Sequence, residues 1–130
     1  MNSSAEDMSS ILASAIASLT ENTNLFISRE PSEPDAVVSL FDTGGGEPSS
    51  GTENNEFPTI QVRVRGAKMD YETAYALIDS IKTVLHNLAS QTINSTKYIG
   101  VWASSDIIPL GYDASDRPIL TLNFRIHRTA

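Results

Sequence analysis

Met8, Ile11, Leu12, Ala15, Ile16 and Leu19 recur at steps of three and four residues. That spacing gathers them in one stripe and predicts an amphipathic helix over residues 5–19. Ser3 or Ser4 stands where a cap is needed, and Glu6 and Asp7 suit the positive end of the helix dipole. Asn22-Thr23-Asn24 reads as its stop. Leu25-Phe26-Ile27 is a short apolar burst, and residues 36–41 (AVVSLF) are rich in strand formers. They predict two strands joined by a turn, because Pro31 and Pro34 between them forbid a regular central strand.

Residues 42–57, DTGGGEPSSGTENNEF, carry four of the seven glycines and almost no apolar side chains. Such a stretch cannot offset its own ordering entropy and predicts a flexible loop. Its triple glycine is not a phosphate loop, since no Gly-Lys-Ser/Thr follows. In residues 58–66, PTIQVRVRG, Ile60, Val62 and Val64 alternate with Gln61, Arg63 and Arg65. Strict alternation predicts a strand buried on one face only.

Asp70 is placed to cap a second helix over residues 71–90. Its apolar stripe is Tyr71, Ala74, Tyr75, Ile78, Ile81, Leu85 and Leu88. Residues 97–103, KYIGVWA, predict a strand, and residues 104–118 a loop. Residues 119–128, ILTLNFRIHR, predict a last strand with Leu120, Leu122, Phe124 and Ile126 on one side and Thr121, Asn123, Arg125 and His127 on the other. The order predicts an α+β fold: a two-layer sandwich with a mainly antiparallel or mixed sheet of four to five strands and both helices on one face. With 130 residues the chain is the size of one domain, spanning 1–130.

Charge adds a second pattern. The net charge is −7, unevenly spread: up to Glu56 there are ten acidic residues and one base, Arg29, and from Phe57 onward eight basic and six acidic. An acidic chain does not gain by releasing counterions from phosphates, which argues against wrapping nucleic acid. There is no cysteine, so a disulfide framework, a zinc–thiolate site and a thiol nucleophile are excluded. No apolar run approaches the ~20 residues that span a bilayer. The acidic N-terminus predicts no secretory signal.

Candidate chemistry is sparse. His86 falls mid-helix and His127 on a polar strand face, neither inside a catalytic motif. Asp106, Asp113 and Asp116 could hold a hard cation, but they lack calcium-loop spacing, and turn aspartates commonly satisfy their own backbone. No catalytic residue, cofactor or metal is expected. Arg63, Arg65, Arg125 and Arg128 would form a basic stripe if their strands are neighbours. Such a stripe is either a solvated sheet face or an interface for an acidic partner, such as the front half of a second copy. Heterologous contacts of that kind close into rings. Trp102, Tyr98 and Tyr112 are further interface candidates, since aromatics and arginine dominate binding hot spots.

The stretches RVRG (63–66), YETAYALIDSIKTVLHNL (71–88), YIGVWASSD (98–106) and LGYDASDRPILTLNFRIHR (110–128) resemble the small minor capsid, or tail terminator, proteins of long-tailed bacteriophages. The likeness is densest over residues 57–128, and none of the family's motifs is catalytic. It implies a hexameric ring at the head-proximal end of the tail tube that stops tube polymerisation and joins the tail to the head or neck. DNA would pass through the ring without specific binding. The implied partners are further copies of the chain, the tail tube protein and a neck or head-completion protein. By that resemblance Arg63, Arg65 and Arg125 are candidate contacts to a subunit or the tube. Tyr112, Asp113 and Arg117 would hold a loop that shapes a docking edge. A different head-completion protein of the same connector is the alternative.

Overall fold

The computed structural model describes residues 1–49 and 54–129. Helix α1 spans Ser4–Ala15. Ser3 and Glu6 close a capping box: the Glu6 N–H donates to Ser3 Oγ at 3.2 Å and the Ser3 N–H donates to Glu6 Oε1 at 3.4 Å. α1 ends four residues before the expected Leu19. The Asn24 side chain claims the backbone there, its Nδ2 donating to the Ser18 carbonyl and its Oδ1 accepting from the Thr20 N–H.

Then follow β1 (Leu25–Ile27), β2 (Val37–Gly45), β3 (Asn55–Glu56), β4 (Pro58–Arg65), α2 (Tyr71–Leu85), β5 (Gln91–Ile93), β6 (Thr96–Ala103), β7 (Ile108–Tyr112) and β8 (Pro118–Thr129). α2 starts where expected, with Asp70 Oδ1 accepting from the Thr73 N–H. It stops at Leu85 rather than Ser90. Asn87 turns into the left-handed region at φ 61° and its N–H bonds the Val101 carbonyl, which lays the chain onto β6.

The eight strands form one mixed sheet in the order β1-β2-β4-β8-β6-β5, with β3 and β7 also paired to β8. The expected four to five strands are therefore too few. The additions are the two-residue β3, the three-residue β5, and β7, which lies in the expected 104–118 loop. Pairing also enters the expected 42–57 loop from both ends, through Gly45 opposite Pro58 and through β3; residues 50–53 lie outside the described residues. β1 and β2 are parallel, so no simple turn joins them. Residues 28–36 make the crossover.

The alternation along β4 and β8 is realised. Ile60, Val62, Val64, Leu120, Leu122, Phe124 and Ile126 face Met8 and Leu12 of α1 and Ala74, Ile78, Ile81 and Leu85 of α2 in one core. Each Val, Leu, Ile, Phe or Met side chain among them contributes about 1.5–3 kcal/mol on burial. Polar groups are buried beside it as well, a carboxylate among them. Asp7 is fully buried, with Oδ2 accepting from the Tyr98 hydroxyl and Oδ1 from Asn94 Nδ2 at 2.8 Å. This ties the first turn of α1 to β6. Burial, then the bond to Asp7, pushes the Tyr98 phenol up to about 12.

Candidate assembly interface

The face of the sheet turned away from the helices divides into two regions. Over the first, the crossover 28–36 lies as a strap, and arginines hold it. Arg65 is only 3% exposed. Its Nε donates to the Asp35 carbonyl and its NH2 to the carbonyls of Pro31 and Pro34. Two prolines in the strap supply carbonyls without competing N–H groups, which suits a guanidinium fork. Burial lowers the Arg65 pKa and Arg117 lowers it further, while Glu30 opposes both. Arg63 Nε donates to Glu30 Oε2 at 2.7 Å.

Arg117 joins from the β7–β8 turn. It reaches the Ser32 carbonyl at 2.8 Å, Asp35 at 3.3 Å and Asp113 at 2.8 Å. The Asp113 carboxyl is held below the usual range, first by the Arg117 backbone N–H and then by the Ser115 N–H and the Arg117 side chain. Asp106 is likewise lowered, by the Ile107 backbone N–H and then Lys82. These aspartates serve turns, and among the described residues no cluster of acids and histidines could hold a metal ion.

Four of the six sequence candidates, Arg63, Arg65, Asp113 and Arg117, therefore meet around one strap. The strands carrying the arginines are neighbours, but Arg125 stands opposite Thr59 and Arg63 opposite Thr121. Glu30, Asp35 and Asp113 neutralise the strap end of the stripe. Arg128 points to the helix face, where it pairs Glu56 at 2.8 Å.

The second region is open. Arg125 is exposed and lies over the Trp102 ring at 5.3 Å, a contact of about 0.5–1 kcal/mol at an exposed site. Among the described residues it has no carboxylate partner. Trp102 is half-buried because it folds over Gly100, where a Cβ would overlap its ring. Phe57 stacks on His127 at 4.9 Å, and His127 Nε2 meets Asn55 Oδ1 at 2.9 Å. Together with Thr59 these groups line a groove of about 370 Å³. The sequence reading missed Phe57 and His127 as its members. The alternation of β8 was the available signal, since it places His127 beside Arg125.

Tyr112, the sixth candidate, is 50% exposed on β7, every residue of which is exposed. The other histidine is structural: His86 Nδ1 accepts from the Ala103 N–H at 2.9 Å. A further concavity of about 450 Å³ between α1 and β1 has Glu6, Glu21 and Arg29 in its wall and no histidine.

A groove with aromatic walls, an unpaired arginine and no catalytic pair suits a surface that meets protein. The solved structures agree on the fold. A chain described as "Virion of native gene transfer agent (GTA) particle" aligns over 95% of this chain and 84% of its own, with a TM-score of 0.68 and 15% identity. A second solved chain aligns over 96% of both, with a TM-score of 0.54 and 9% identity. No curated protein sequence matches significantly. The family model described as bacteriophage tail terminator protein matches residues 3–130. With that match over nearly its whole length, the chain belongs to the bacteriophage tail terminator family and is a virion component of a phage tail.

Proposed function

We propose that the protein forms a ring, of six copies as the family resemblance implies, at the head-proximal end of the tail tube. There it stops tube polymerisation and joins the tail to the head or neck. One observation carries this reading beyond the family. The folded chain leaves two unlike surfaces uncovered, the Phe57–Trp102–Arg125–His127 groove and the exposed strand β7. A ring subunit needs two different contact surfaces, one for each neighbour. The acidic balance of −7 suits a ring through which DNA slides without being held.

In this reading Arg125 and Tyr112 touch neighbouring subunits or the tube. Arg63, Arg65, Asp113 and Arg117 act through the strap and turn that they fix. The tail tube protein and a neck or head-completion protein are the further partners, and the reading needs no cofactor and no catalysis. Deleting the gene in its parent phage and imaging the lysate by negative-stain microscopy tests it. Overlong tails beside unattached, DNA-filled heads are expected. Normal-length free tails with leaky heads would instead assign the protein to head completion.

A further inference from the structure

The second uncovered surface extends past β7 onto α2. At helical spacing Tyr71, Glu72, Tyr75 and Asp79 share one flank of α2. Lys82, on the same flank, bonds Asp106 just before β7. The other end of α2 meets the β7–β8 turn, where the Met69 N–H bonds the Asp116 carbonyl at 2.9 Å. So the segment that carries β7 is tethered near both ends of this flank. Tyr71 and Tyr75 are 37% and 40% exposed with rings 6.0 Å apart, and Leu110 on β7 is 53% exposed. Glu72 and Asp79 are exposed and have no ion-pair partner among the described residues. This edge is aromatic and acidic. The groove is aromatic and carries the unpaired Arg125.

We infer that the Tyr71–Tyr75–Asp79 flank of α2, with β7, seats in the Trp102–Arg125 groove of a second copy, head to tail. Charge complementarity selects the occupant: one surface holds unpaired carboxylates among aromatics, the other an unpaired guanidinium among aromatics. The flank belongs to a helix on one face of the sheet and the groove lies on the other face, so a chain cannot satisfy its own pair. The contact is heterologous and repeats from copy to copy. This inference rests on the ring reading above and names its subunit contact.

The chain has no cysteine, so paired cysteines report the contact without background. Thr59→Cys marks the groove and Ala76→Cys marks the edge, both at positions outside the core. The two variants are mixed in equal amounts and oxidised. The mixed disulfide is expected roughly tenfold above either homodimer, against the twofold of random pairing. Adding Arg125→Glu to the Thr59→Cys chain is expected to return the yield to random. Random proportions in the first mixture, dominant homodimers, or a yield indifferent to Arg125→Glu would each overturn the contact. Tails of normal length in the gene deletion would instead overturn the terminator reading, whatever the disulfides show.

Discussion

Arg63 and Arg65 are two residues apart on one strand face, yet the structure gives them different work, and replacing each by methionine separates them. Methionine keeps an unbranched stem and removes the charge. At Arg65 the change strips three strap carbonyls of their donor and takes a counter-ion 3.7 Å from Glu30. Hydrogen bonds to charged groups contribute about 1.5–3 kcal/mol each. Three in sum would overstate the loss, because strap carbonyls recover water once the strap lifts. Breaking a buried ion pair costs about 3–5 kcal/mol, and the lower end, about 3 kcal/mol, is expected here. Arg63→Met removes a pair whose side chains are 31% and 19% exposed, and such pairs contribute about 0–1 kcal/mol. Urea unfolding followed by far-ultraviolet circular dichroism measures both, with equal slopes required for the comparison. If the two variants lie within about 0.5 kcal/mol of each other, Arg65 does not anchor the strap.

Three further outcomes are expected. The Tyr98 phenol, raised to about 12 from about 10 when unfolded, gives a stabilising contribution that is full below pH 10 and lost as pH rises through 12; one of the four tyrosines should therefore ionise last, together with unfolding, and a simple single-step phenolate titration would refute it. Gly100→Ala should displace the Trp102 ring and shift its fluorescence to the red at a cost of about 1 kcal/mol or less, since the half-exposed ring can swing aside; an unchanged spectrum would place the ring elsewhere. Ile78→Ala, at a fully buried site, should cost about 2–5 kcal/mol by thermal or urea unfolding, and a cost below about 1 kcal/mol would mean that α2 packs differently.

Periodicity made the core legible. The alternation of β4 and β8 names buried residues, and the stripes of α1 and α2 name mostly buried or half-buried ones, although Ala15, Tyr71 and Tyr75, which they also include, are exposed. What periodicity could not show was pairing at a distance. β7 is exposed at every residue and carries Pro109 and Gly111, so it has no alternation to read, and it is a strand only because β8 offers its edge. The parallel pairing of β1 with β2 is equally silent in a three-residue segment. For the interface, residue type pointed to arginines without telling apart one that is buried under a strap from one that is free. Arg65 and Arg125 look alike in sequence; only the return of residues 28–36 across the sheet separates them.

The placement of β8 has a consequence for synthesis. It follows every other element in chain order, yet it pairs with β3, β4, β6 and β7. Until β8 has emerged from the ribosome, β4 and β6 lack the strand that lies between them, and their apolar faces have no common sheet. Growing chains would therefore hold two unpaired strand edges, which are sites of aggregation. A product truncated before Pro118 lacks the strand that joins β4 to β6 and should be captured by chaperones or degraded rather than compete with full-sheet subunits for places in a tail.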